Sequence, residues 1–400
     1  MTKIKQLGLL LLTFSAYDSL AQLKEDKTWY DTEQTVIKEL FFTQNNNKTG
    51  LYKIYHENGK MWQTGIFVDG KLDSTWLIYH QEGYLEKRLN YKDGLKDGKF
   101  EYHYANGQIF QEGTYENDLL HDSIISYYES GNIMEYSFYV EGQKTGTSLG
   151  YFETGGPIYV DEFLDGKQNG LHERYYKNGN LQESGLKLND VFHGKYQSYF
   201  KGGQLYKTCY YTYGVLDGQL IGFNKNGNIV INSFYKAGKL EGLWLEYFNN
   251  DVVEFKGLNQ IYEQGNYKNG TLEGPWKVFY PSGELYISGS YLNGEYEGMW
   301  KVYFENGNIK QQGSYKNGNA VGPWKYSLRN GNLFKEGDYV DDKEHGNWKH
   351  YYESGEIKVE ANYINGLLDG LQKAFDLEGK VIQTQTYDMG IIKASTNGEH

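Results

Sequence analysis

Apolar and polar positions in this chain recur with a step of 24 residues. The step is clearest in residues 291–314, YLNGEYEGMWKVYFENGNIKQQGS, and in the next 24, YKNGNAVGPWKYSLRNGNLFKEGD. The first position of each unit is usually aromatic: Phe67, Tyr91, Tyr115, Tyr139, Phe163, Tyr211 and Tyr235, then Tyr267, Tyr291, Tyr315, Tyr339, Tyr363 and Tyr387. Thr43 and Lys187 are the exceptions, and the interval from Tyr235 to Tyr267 is 32 rather than 24. A fixed short period decides the architecture before any other feature, because each repeat is one small supersecondary unit that must stack on its neighbours. Fourteen units are read, starting at 43, 67, 91, 115, 139, 163, 187, 211, 235, 267, 291, 315, 339 and 363.

Each unit reads as a β-hairpin. Position 17 is Gly in 13 of 14 units, preceded by Asn in pairs such as Asn58-Gly59, Asn106-Gly107, Asn306-Gly307 and Asn330-Gly331. Asn-Gly favours the type I′ turn, which needs positive φ at both residues. A second turn falls at positions 3–4, as Asn293-Gly294 or Asp69-Gly70. The intervening strands are expected at positions 10–14 and from position 19 to position 1 of the next unit. Gly at position 8, in 12 of 14 units, fits a bulge or a close backbone approach. Tight turns make consecutive strands antiparallel, so the chain predicts an all-β meander of about 28 strands at ~4.8 Å each. The expected fold is 24-residue hairpin repeats stacked into an elongated, twisted, single-layer antiparallel sheet.

Aromatic residues follow the register. Position 10 is Trp in Trp76, Trp244, Trp276, Trp300, Trp324 and Trp348, and position 13 is aromatic in most units. Side chains alternate across a strand, which sends the two positions to opposite faces. With no second sheet to cover either face, ladders in which a ring packs on the same ring of the next unit are expected to supply the burial.

The units set the domain limits. Residues 1–21 read as a secretory signal, with Lys3 and Lys5, an apolar run from Leu7 to Phe14, and small residues Ser19 and Ala21 before Gln22. The expected product is exported, to the periplasm, envelope or exterior, and no segment is long enough for a transmembrane helix. Residues 22–42 are the candidate N-terminal cap, 43–258 nine repeats, 259–266 an insertion, and 267–386 five repeats. A stub with a polar, fraying tail closes the chain at 387–400.

Composition narrows the function. Gly numbers 50, Tyr 40 and Pro 4, which suits turns and half-buried strands. The net charge of −12 argues against nucleic acid and anionic membrane as partners. The single cysteine, Cys209, excludes an intramolecular disulfide and reads as a small packed side chain.

The motif Y-x-N-G-x-x-x-G-x-W-x-x-Y-x-x-N-G-x-(I/L)-x-x-x-G resembles the MORN-repeat variant of YwqK-type antitoxin proteins. The resemblance covers nearly the whole chain after residue 42. It implies hairpin units in an extended sheet and a binding or scaffolding role, named in that family as neutralising a toxin.

Little else carries chemistry. The histidines, His56, His80, His103, His121, His172, His193, His345, His350 and His400, show no ligand spacing, and no metal or cofactor is expected. His56 and His80 share a repeat position, as a surface ladder would. Asp341-Asp342 reads as a solvated turn. Gly146-Thr147-Ser148-Leu149-Gly150 matches G-x-S-x-G, but Ser148 falls at the start of a strand and no helix pattern follows, as a nucleophile elbow requires. The candidate binding residues are Trp244, Trp276, Trp300, Trp324 and Trp348, one stripe in consecutive units. The reading is a non-enzymatic scaffold for a protein partner, a toxin or an envelope protein. The alternative is a glycan- or wall-binding module using that stripe.

Overall fold

The structure is a computed structural model and describes residues 23–249 and 260–397. The leader, 1–21, therefore lies outside the described residues. Every element is a strand, and the 36 strands form one antiparallel sheet that does not close into a barrel. The chain divides into two compact units, residues 1–156 with 163–166, and residues 157–162 with 167–400. Each is treated separately below.

The strands are longer than the pattern predicts. In the unit from 291, one strand is Glu295–Tyr303 and the next Ile309–Lys316. Position 8 thus lies inside a strand. Gly298 there has a φ of 70°, and the register slips on its far side, between Ser288 and Ser290. It is a bulge residue, and a left-handed residue within a ladder is tolerated best by glycine. In five units the bulge interrupts the hydrogen bonding and leaves a short piece such as Thr271–Leu272 ahead of Gly274–Phe279.

The two turns differ. At positions 3–4 both residues are left-handed, as in Asn293 (φ 52°) and Gly294 (φ 86°), which is the type I′ signature. At positions 16–17 only the glycine is left-handed, as in Gly307 (φ 85°). The type I′ expectation fails there. Its asparagine is kept for its side chain instead: Asn306 Nδ2 donates to the Arg329 carbonyl of the next unit at 2.9 Å, as Asn58 Nδ2 does to that of Gln81. Position 16 therefore staples one hairpin to the next.

Lys24–Trp29 pairs with Ile37–Gln44 as the cap hairpin. At the other end Ile391–Asn397 pairs with Val381–Asp388, so Ser395, Thr396 and Asn397 belong to a strand. The proposed insertion at 259–266 also needs correction. Ile261–Lys268 is the regular second strand, with Tyr247 opposite Ile261 as Tyr303 is opposite Ile309. Phe248 N–H bonds the Gln260 carbonyl, whereas Phe304 N–H bonds that of Asn308 four residues on. The eight additional residues therefore fall between Phe248 and Gln260, mostly at 250–259, outside the described residues.

Burial lies on one face. The ring at position 10 rests on the residue at position 23 of the preceding strand, and where the ring is Trp that residue is usually Gly. A methyl group on Gly289 would come within 2.1 Å of the Trp300 ring, on Gly313 within 2.0 Å of Trp324, on Gly337 within 2.2 Å of Trp348, and on Gly65 within 2.2 Å of Trp76. These glycines exist to admit an indole. The rings do not pack on their own kind in the next unit. Units repeat every two strands, about 9.6 Å, and from Trp276 to Trp348 successive indoles are bridged by other rings. The position-1 tyrosine fills the gap edge-on: Tyr291–Trp300 at 5.3 Å, Trp300–Tyr315 at 6.3 Å, Tyr315–Trp324 at 5.1 Å, Trp324–Tyr339 at 5.7 Å and Tyr339–Trp348 at 5.1 Å. Edge-to-face contact is the geometry the ring quadrupoles favour. Trp244 and Trp276, stacked at 5.7 Å, depart from this.

Gly289→Ala should lower the unfolding free energy by about 1–3 kcal/mol through overpacking. Urea denaturation followed by far-UV circular dichroism checks it, and an unchanged midpoint would refute the fit of Trp300 on Gly289.

Candidate functional site

The face bearing the position-10 rings is closed to ligands. Trp276, Trp300, Trp324 and Trp348 are buried and Trp244 is half-buried. They form the stripe that the register implies, but as an internal ladder. A sugar ring stacks only on an exposed aromatic face, so this stripe offers no platform.

The other predicted positions are also structural. Ser148 is wholly buried in the strand Gln143–Tyr151, its Oγ 2.9 Å from Ser137 Oγ. Ser137 is at position 23 and Ser148 at position 10, so this hydroxyl pair stands where Gly and Trp stand elsewhere. Cys209 sits at position 23, fully buried, and burial pushes its thiol up. Asp342 accepts a hydrogen bond from the Ala320 N–H at 2.6 Å and so ties two turns together. His56 Nε2 lies 3.2 Å from the Tyr79 carbonyl. Tyr104, Tyr128 and Tyr280 hydroxyls bond the equivalent carbonyls one unit on, and His56 takes the place of such a tyrosine.

One buried polar rung had no warning in residue spacing alone. Position 10 is His172 and position 23 before it is Asp161, both almost fully buried. His172 Nδ1 donates to Asp161 Oδ1 at 2.7 Å, and Nε2 to Glu183 Oε1 at 3.2 Å. Arg174 grips Asp161 with two 2.9 Å bonds, and the Tyr196 hydroxyl donates to Glu183 at 2.7 Å. With His172 protonated, two carboxylates, one guanidinium and one imidazolium leave this cluster neutral. Burial alone pulls His172 down, but the hydrogen bonds it donates to Asp161 and Glu183 outweigh it, and its pKa ends above the ordinary value. The His172 bond leads in holding Glu183 down to about 2, against the penalty of burial. Burial would lift Asp161, yet its bonds to His172 and Arg174 hold it below the usual carboxylate range. Both imidazole nitrogens are engaged, so His172 acts as a brace and not as a base or ligand. The clue in the sequence was positional: a His where Trp belongs, preceded by an Asp where Gly belongs.

The opposite face carries exposed apolar side chains. Alternation sends positions 9, 11, 13, 22 and 24 there. Tyr127 and Tyr351, at position 13, bond Glu112 and Glu336, at position 22, at 2.6 and 2.7 Å. In the second unit, Leu186, Tyr210 and Phe234 occupy position 24 of three consecutive repeats, and Leu243 position 9 of the next. All four are 42–53% exposed. Lys195 stands opposite Tyr210 and Gln219 opposite Phe234, so polar side chains space the apolar ones along this face.

Seven segments match the MORN repeat variant: 48–69, 96–117, 168–186, 272–293, 296–317, 344–365 and 368–389. No curated protein matches the sequence. Among solved structures, a chain in a complex titled TcdB2-TccC3-Cdc42 is 11% identical over 91% of this chain, with a TM-score of 0.16. A chain of the Tc holotoxin pore of Photorhabdus luminescens is 11% identical over 90%, with a TM-score of 0.17. This chain spans 23% of the length of each. Likeness at that level does not bear on function.

The polar rung should make stability pH-dependent on both sides. Glu183, lowered in the folded state, contributes fully above the ordinary glutamate range, and its contribution is lost as pH falls towards about 2. His172, raised, contributes fully below its unfolded pKa, and that contribution is lost as pH rises through the folded value. Urea titrations across pH should show the acid slope reduced in Glu183→Gln and the neutral-to-alkaline slope reduced in His172→Gln. Parallel pH profiles for both variants and the parent would contradict the arrangement.

Proposed function

We propose that the protein is an exported, non-enzymatic scaffold whose MORN-variant repeats hold a protein partner. The observation that carries this reading is the exposed row Leu186, Tyr210, Phe234 and Leu243 on the face opposite the buried ring ladder. Large apolar and aromatic side chains of this kind anchor protein interfaces, where full desolvation makes them dominant. The acidic charge of −12 disfavours phosphate backbones and anionic lipid, and it favours a partner with a basic rim around an apolar centre. The leader-like start at residues 1–21 supports export, and hence a partner in the envelope or outside it, whether a toxin held in check or an envelope protein.

The test is affinity capture from envelope extracts with the full chain, followed by titration of the captured protein. The expected result is one protein retained in stoichiometric amount, with N-terminal sequencing of the native chain starting at Gln22. Phe234→Glu with Leu243→Glu should weaken binding at least about tenfold, as loss of a central apolar anchor does, while the circular dichroism spectrum stays unchanged. No retained protein would refute the scaffold reading. Undiminished binding by the double variant would refute the surface, and a native chain that still begins at Met1 would refute export.

A further inference from the structure

Seven of the eight tryptophans are buried or half-buried, and Trp62 alone is exposed, at 43%. It stands at position 20 of the first repeat, packed on His56 at 5.7 Å. Comparable position-14 and position-20 pairs are Tyr104–Phe110, Phe200–Tyr206 and Tyr280–Tyr286. At Trp62 the cap hairpin changes the surroundings. Tyr30, just after the strand Lys24–Trp29, donates its hydroxyl to the Tyr55 carbonyl at 2.8 Å, as the repeat tyrosines do one unit on. That bond holds the Tyr30 ring beside His56 and leaves an open cleft of about 510 Å³ lined by Tyr30, His56, Glu57, Asn58, Trp62 and Gln81.

The polar groups around this cleft divide into two sets. Asn58 is committed: Nδ2 donates to the Gln81 carbonyl at 2.9 Å, and Oδ1 accepts from the Lys60 N–H at 3.0 Å. It fixes the turn. The Glu57 carboxylate and the Gln81 carboxamide lie exposed at the rim. His56 Nε2 faces the Tyr79 carbonyl and donates to it. The cleft thus combines a broad apolar indole, a carboxylate and a carboxamide beside the His56 ring.

We propose that this cleft binds a neutral oligosaccharide built of flat pyranose rings with equatorial hydroxyls, of the glucose or N-acetylglucosamine type. Such a ring has an apolar C–H face, which takes the exposed indole, and an edge of paired hydroxyls, which need acceptors and planar amides. Glu57 and the acidic chain disfavour an anionic saccharide. Trp62 is the platform, Glu57 and Gln81 receive the hydroxyls, and Tyr30 walls the cleft. The site lies in the first compact unit and shares no residue with the row of the second, so it stands or falls independently of the protein partner.

Calorimetric titration of the full chain with cellotetraose and chitotetraose tests it. The expected result is saturable one-site binding of at least one of them, weakened about tenfold by Trp62→Ala, the loss of roughly one aromatic stacking contact. Glu57→Gln and Gln81→Ala should each weaken it several-fold, and all three variants, being changes at exposed residues, should keep the parent's thermal midpoint. Absence of binding by both sugars at millimolar concentration would overturn the proposal. So would undiminished affinity in Trp62→Ala, which would place the saccharide elsewhere.

Discussion

A sheet with no second layer must bury its side chains within one face, and the seat of an indole on a glycine is how this chain does it. The Trp ring at position 10 spreads across the neighbouring strand, where only hydrogen leaves it room, as at Gly289, Gly313 and Gly337. Position-1 tyrosines then close the spaces between successive indoles edge-on. Sequence period, glycine placement and aromatic spacing are three views of one packing problem. Its contacts are between neighbouring strands, so stability builds up by nearest-neighbour terms.

Two exceptions obey the same constraint, with both positions changed at once. Where position 10 shrinks to Ser148, position 23 is Ser137 and the hydroxyls bond each other. Where it becomes His172, position 23 becomes Asp161, and Arg174, Glu183 and Tyr196 complete a charge-balanced brace. A buried ionic group is tolerated only when it is paired and hydrogen-bonded on every side. At Cys209 position 23 keeps a small side chain, and position 10 eleven residues on is Leu220. The unit that must match is therefore a pair of cross-strand positions eleven residues apart.

Much of this was legible in the residues. The period, the hairpins, the antiparallel pairing and the opposed faces of positions 10 and 13 all follow from glycine and aromatic spacing. The turn at positions 16–17 was misread because Asn-Gly signals a hairpin without saying which job the asparagine does; Asn306 serves through its amide and not through its φ. The insertion was misplaced because Val253-Glu254-Phe255-Lys256-Gly257 and Ile261-Tyr262-Glu263-Gln264-Gly265 look alike, and only the pairing of Tyr247 with Ile261 shows which one continues the ladder. The Trp stripe was found, but spacing says that rings share a face and not whether that face is covered. Trp62 escaped notice because position 20 has no fixed residue type.

The same packing leaves the opposite face free for apolar display, which is where a partner finds its anchors. The account rests on the ring–glycine pair, and a double-mutant cycle at Gly337 and Trp348 tests it most directly. Unfolding free energies of the parent, Gly337→Ala, Trp348→Leu and the double variant isolate the interaction. The account predicts that the added methyl is harmful beside the indole and nearly harmless without it, giving a coupling of at least about 1 kcal/mol. Single effects that add to within about 0.5 kcal/mol would show that glycine and ring act independently, and would contradict it.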